Sequence, residues 1–242
     1  MEMKLFGVFL VLLFVLVGCD AVDVEKSEIR TGNSPLFLFH IVDPLSDTNY
    51  TITSSMFEAE ENISVFFPNI DIYDNELQEK INGLILYEVY QMLSIFPERE
   101  ELTLDIEYEI KFSSDRLLSI VYTGIGFVQG STRPIHLFYA LNINMETGEK
   151  IVLSDVIIVD ERFIELLLSD NAIHLTPYLE LKQFVREIIS DEAFLYRFQS
   201  TAGPMFYFTN DSLGISIDGL GGAAGDHAEL EIRYEALISH LE

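Results

Sequence analysis

Basic side chains are scarce in this chain: 14 Lys and Arg stand against 40 Asp and Glu in 242 residues, a formal net charge of −26. A surface so poor in cations repels phosphate backbones, and nucleic-acid binding draws most of its affinity from Lys and Arg, so no nucleic-acid partner is expected. A cationic ligand or a divalent metal suits the charge better. Cysteine is nearly absent as well. Cys19 stands alone, which excludes an internal disulfide and a Cys-rich zinc site, and stability has to come from a packed core. Proline is sparse at 7 residues, and a hydrophobic content of 49% is far above that of a disordered acidic tail, so the chain folds, as one large domain or two small ones.

Hydrolytic signatures are missing too. His40, His136, His174, His227 and His240 form neither an i, i+4 helical pair nor an HExxH motif, and no GxSxG elbow occurs. With 40 acids, paired carboxylates arise by chance, so no general acid and base can be singled out. No catalytic residue and no cofactor are expected. Weak calcium association follows from the acidity, but no EF-hand pattern is present.

What is present begins at the N-terminus. Leu5 to Val17 is an unbroken apolar run after Lys4, followed at once by Gly18, Cys19 and Asp20. As a helix it rises about 20 Å, short of the roughly 30 Å hydrocarbon core, which favours a signal peptide over a permanent span. Leu16-Val17-Gly18-Cys19 resembles a bacterial lipobox, in which cleavage precedes a Cys that receives diacylglycerol. An ordinary secretory signal with an incidental Cys is the alternative, and Glu2 offsets Lys4 in the short leading segment. Lipidation would consume the sole thiol and hold the protein at an outer membrane surface. Residues 1–18 are therefore expected to be a lipoprotein signal peptide and 19–34 the lipidated Cys with a polar tether. Residues 35–242 form the folded domain, with 35–115 and 116–242 as its subregions if it divides.

Periodicity within that domain alternates between strand and helix. Residues 102–112 place Leu102, Leu104, Ile106, Tyr108, Ile110 and Phe112 on one face and Thr103, Asp105, Glu107, Glu109 and Lys111 on the other. A turn at Ser113 to Arg116 leads into a strand over 117–127, which Gly124 and Gly126 are expected to weaken, and a third strand over 135–145 closes on Glu146 to Glu149. Three such strands make an antiparallel meander. Helical spacing runs from Asn75 to Phe96, capped by Asp74 or Asn75 and stopped by Pro97, with further helices near 161–168 and 178–198. Strands resume at 205–209, 212–218 and 228–234. The expected class is α+β, a mainly antiparallel sheet packed by several helices.

Several phrases, in order, resemble a known extracytoplasmic region: Ile63 to Leu84, Leu118 to Gly130, Asn142 to Val156, Phe206 to Ile217 and Gly225 to Leu237. The region is shared by the lysozyme-sensing anti-sigma factor RsiV and the peptidoglycan deacetylase PdaC. The resemblance implies a surface-exposed α+β module that binds a cell-wall component or an enzyme that attacks the wall, such as lysozyme. Eighteen residues before Cys19 leave no place for a sigma-binding segment, and the end at Glu242 leaves none for a deacetylase domain, so a stand-alone, non-catalytic lipoprotein module is expected. An envelope hydrolase or deacetylase-like enzyme acting on peptidoglycan is the alternative.

Two segments stand out as candidate binding loops. Asp218 to Glu229 carries Gly219, Gly221, Gly222 and Gly225 and would present Asp218, Asp226 and His227; a structural reading makes it a wide connection whose glycines serve a turn. Gln129 to His136 contains Arg133 and His136, where Arg133 would hold an anionic group or serve as an internal counter-ion. The expected partners are the membrane, through lipidated Cys19, and lysozyme or peptidoglycan.

Overall fold

Alternation of apolar and polar side chains through residues 102–144 builds the centre of the molecule. The computed structural model describes residues 48–60, 62–94, 102–175, 187, 189, 204–218 and 227–241, all within one compact unit, Gly32–Glu242. The signal segment, Cys19 and the tether lie outside the described residues, as does the helix expected over 178–198 apart from Glu187 and Ile189, which are helical. Among the described residues no helix is long and apolar enough to cross a membrane.

Six strands form the first sheet in chain order: β1 (Tyr50–Glu60), β2 (Ile63–Ile72), β3 (Leu102–Ser113), β4 (Leu117–Val128), β5 (Ile135–Asn144) and β6 (Glu149–Lys150). Every pair is antiparallel except β2 and β3, which run parallel and are joined through helix α1 (Asn75–Ser94). That connection is long because a tight turn cannot return a strand in parallel. Asp74 caps α1, its Oδ1 accepting from Glu76 N at 3.0 Å and Leu77 N at 3.1 Å. Ile81, Ile85, Val89, Met92 and Leu93 then bury against Leu104, Ile106, Leu118, Ile120 and Tyr122 of the sheet. Within this core the buried Glu88 accepts from the Tyr139 hydroxyl and from Lys150 Nζ at 2.9 Å.

The chain continues through α2 (Leu153–Val156) and α3 (Glu161–Leu168) into a second sheet. This one is antiparallel, in the order β7 (Ala172–His174), β10 (His227–Arg233), β9 (Ser212–Asp218), β8 (Met205–Phe208), and α4 (Tyr234–Leu241) follows it. Phe208, Leu213, Ile215, Leu230 and Ile232 bury one face of it with Phe163 and Leu167 of α3 and Leu237 of α4. The α+β class with a mainly antiparallel sheet and the meander of β3, β4 and β5 are as the periodicity indicated.

Two details differ from that reading. A β-bulge between Ile110 and Phe112 shifts the register, so Phe112 leaves the face of Leu102 to Ile110 and joins the core beneath the second sheet. Gly124 and Gly126 do not weaken β4, which pairs on both sides through Gly126. A Cβ on Gly124 would stand 2.8 Å from Asp105 O and 2.9 Å from Ile106 Cγ1, so glycine there permits a close approach of β4 to β3.

Candidate functional site

The second sheet has one oily and one polar face, and the polar one meets the first sheet. Alternation along β10 sends Ala228, Leu230 and Ile232 into the core and leaves His227, Glu229 and Glu231 half-buried on the opposite side. Register then fixes their neighbours. Ser216 lies between Glu229 and Met205, and Gly214 lies between Glu231 and Tyr207. The Tyr207 ring covers Gly214 so closely that any Cβ there would run into it. Its hydroxyl crosses the sheet to Glu229 Oε2 at 2.9 Å and Glu231 Oε1 at 3.3 Å, and Ser212 Oγ reaches Glu231 Oε2 at 3.2 Å.

The first sheet closes the cluster from above. Phe138 of β5 packs on the His227 ring at 4.6 Å between centroids and on Tyr207 at 6.1 Å. Lys111, turned outward at the bulge, sits 5.6 Å over the Tyr207 ring and pairs with Glu109 at 2.6 Å. Beside the cluster Ser119 and Asn142 tie the sheets together. Ser119 Oγ donates to Asn142 Oδ1 (2.7 Å) and accepts from Phe208 N (2.9 Å), while Asn142 Nδ2 donates to Phe206 O (2.7 Å). These bonds use the side of β8 that faces away from β9, so side chains of one sheet satisfy the strand edge of the other.

Electrostatics in the cluster are set by burial and by donors. Burial works to raise the Glu229 carboxyl, but hydrogen bonds from His227 and Tyr207 and the charges of His227 and Lys111 outweigh it and hold the group below its ordinary range. The Tyr207 hydroxyl is pushed upward, first by burial and then by Glu229 and Glu231, and stays a neutral donor. His227 Nε2 lies 3.5 Å from Glu229 Oε1, and the two side chains keep 19% and 26% of their surface in solvent. A carboxylate only accepts, so the Nε2 facing Glu229 carries a proton, and Nδ1 is the ring atom left toward the rest of the cluster.

Two buried atoms in the cluster have no hydrogen-bond partner: His227 Nδ1 and the Oγ of Ser216, a residue only 1% exposed. Buried polar groups are nearly always satisfied, and these two, on one face of the second sheet, are the cluster's atoms with bonding capacity left over. Ser216, His227 and Glu229 are the residue types of a nucleophilic triad, yet with both atoms unpartnered the hydroxyl is not coupled to the imidazole. The cluster gathers a hydroxyl, an imidazole nitrogen and two carboxylates beside the Phe138 and Tyr207 rings. Among the described residues no group of three or more His, Cys, Asp or Glu is placed to hold a metal ion.

Of the residues singled out from sequence, His227 is in this cluster, and Asp218 ends β9 directly opposite it in the ladder. His136 is half-buried on β5, two residues before Phe138 and on the same strand face. Arg133 is exposed in the connection before β5, where Ser131 Oγ bonds to its backbone. Cys19 and Asp226 lie outside the described residues. Sequence reasoning missed Tyr207, Ser216, Glu229 and Glu231. Residues 228–234 are legible as a strand, but only the β8, β9 and β10 register shows that the two acids share a face and what stands opposite them.

No family model and no curated protein matches the chain. Among solved structures it is similar to a DUF3298 family protein from Pseudomonas aeruginosa PAO1, at 14% identity and a TM-score of 0.47, over 81% of this chain and 94% of that one. A second similar structure is a DUF3298 family member from Bacteroides fragilis NCTC 9343, at 14% identity and a TM-score of 0.45, over 83% of this chain and 99% of the other.

Proposed function

We propose that this chain is a lipid-anchored, non-catalytic binding module of the bacterial envelope, held through Cys19 and recognising a cell-wall component or a wall-degrading protein such as lysozyme. The observation that carries the reading is the unpartnered pair Ser216 Oγ and His227 Nδ1, beside two carboxylates and two aromatic rings. Each buried orphan costs roughly 1–3 kcal/mol, a cost that a ligand supplying hydroxyl or amine donors would offset. The lipobox-like segment and the phrases that resemble those of RsiV and PdaC support the envelope setting. Of the two ligand classes the geometry favours a wall fragment, because its hydroxyls are small enough for the recessed orphan atoms and its sugar faces suit the half-buried Phe138 ring.

Calorimetric titration of the full chain with soluble peptidoglycan fragments, and in parallel with lysozyme, tests this. Fragments are expected to bind, and Ser216→Ala to weaken them about tenfold, the scale of one lost hydrogen bond. Fragment binding that is absent or indifferent to Ser216→Ala overturns the wall reading, and lysozyme-selective binding transfers it to the protein ligand. Turnover of the fragments abolished by His227→Gln would establish the enzyme instead. For the anchor, Cys19→Ser is expected to release the protein from membranes on cell fractionation; unchanged membrane association would remove the lipobox.

A further inference from the structure

The face of the first sheet away from α1 is only half covered. On β4, Val121 lies beneath the second sheet with Ala140 and Tyr207, whereas Ile125 and Phe127, further along the same face, are each 53% exposed. Register sets an acidic column beside them: Asp105 pairs with Ile125, Glu107 with Thr123 and Thr103 with Phe127, and all three β3 residues are exposed. Asp105 Oδ1 accepts from Ser64 Oγ at 2.5 Å, and Lys111 occupies Glu109 at the covered end. No Lys or Arg stands at the positions flanking Asp105 and Glu107, which are Ser64, Thr123, Ile125, His136 and Phe138. An exposed sheet face normally carries mixed charge; this one carries acids beside bare apolar side chains.

We infer that this open strip docks a cationic, extended segment of another polypeptide with Lys or Arg at alternate positions. Asp105 and Glu107 are two residues apart on a strand, about 7 Å, which is the spacing of alternate side chains in an extended partner. Cross-strand neighbours stand about 5 Å apart, so a Lys or Arg stem lying on Ile125 or Phe127 brings its charged head to the adjacent carboxylate. The Phe127 ring adds a face for the cation. The strip also continues an established contact, because the second sheet already covers the same β4 face at Val121. Neither this chain nor a second copy fits as the occupant: residues 1–47 hold more acids than bases, and another copy brings a charge of −26. Phe138 borders both this strip and the Ser216 and His227 site, and the strip takes a cationic polypeptide whichever ligand that site binds.

Fluorescence anisotropy of the full chain with a short labelled peptide of alternating Lys and Thr, at near-physiological salt, is the test, with alternating Glu and Thr as the control probe. The Lys peptide is expected to bind, and Ile125→Thr/Phe127→Thr and Glu107→Lys each to weaken it about tenfold; Thr preserves strand propensity if either exposed site matters to folding. Glu161→Lys/Glu165→Lys on α3 changes the net charge by at least as much away from the strip and is expected to leave binding within about twofold. Absence of binding overturns the inference, as does equal weakening by the α3 variant, which would assign the attraction to the overall field. A dimer in sedimentation that Phe127→Thr dissolves would overturn it in favour of self-association.

Discussion

Ser216 is a residue whose hydroxyl the folded protein does not use. An orphan buried hydroxyl is a cost that alanine removes, so Ser216→Ala is expected to leave stability unchanged or raise it by about 0.5–1 kcal/mol, read from the urea midpoint. A loss of more than about 1 kcal/mol would mean that the hydroxyl has a structural partner. Glu229 makes the opposite kind of prediction. Its folded-state carboxyl is depressed, so it contributes stability that is present above its unfolded value of about 4.5 and is lost as pH falls through the lower folded value. Urea unfolding between about pH 6 and pH 3 is expected to show wild type losing more stability than Glu229→Gln. Parallel curves would remove the His227 and Tyr207 contacts as its stabilisers.

Strand edges in this fold are closed by side chains as well as by other strands. Asn82 of α1 donates to Ile70 O at 2.8 Å and accepts from Ile70 N at 2.9 Å, and Gln78 Oε1 accepts from Ile72 N at 3.0 Å, where β2 runs beyond its parallel pairing with β3. Ser119 and Asn142 do the same for β8. Removing either of them leaves a buried backbone group and a buried partner unsatisfied, so Ser119→Ala and Asn142→Ala are each expected to cost about 1–3 kcal/mol. A double-mutant cycle is expected to show coupling of at least about 0.5 kcal/mol; additivity would mean that the two act separately. At this scale the sequence was informative wherever one period ruled a segment. β3, β4, β5, α1 and α3 follow from their own apolar spacing. β1 did not, because Met56 and Phe57 are adjacent and break its alternation, and Phe112 was assigned to the wrong core because a bulge leaves no mark in the residue pattern.

At the scale of the whole molecule the charge of −26 is a standing self-repulsion that folding concentrates. Raising ionic strength from about 0.01 M to about 0.1 M shortens the screening length from about 30 Å to about 10 Å, and the urea midpoint is expected to rise with it. A midpoint indifferent to salt would mean that the acids are locally compensated. Composition, the α+β class, the meander, the helix that covers it and the strand at 228–234 were determined by the sequence itself, because each rests on local spacing or on a count. The division into two sheets, the parallel pairing of β2 with β3, the closure of β8 by Ser119 and Asn142, and the meeting of Ser216, His227, Glu229 and Tyr207 were decided only by the tertiary structure. Those contacts join different strands, as far apart in the chain as the 89 positions between Ser119 and Phe208, and a strand's pattern states which face is buried without stating which strand, in which register, will lie against it.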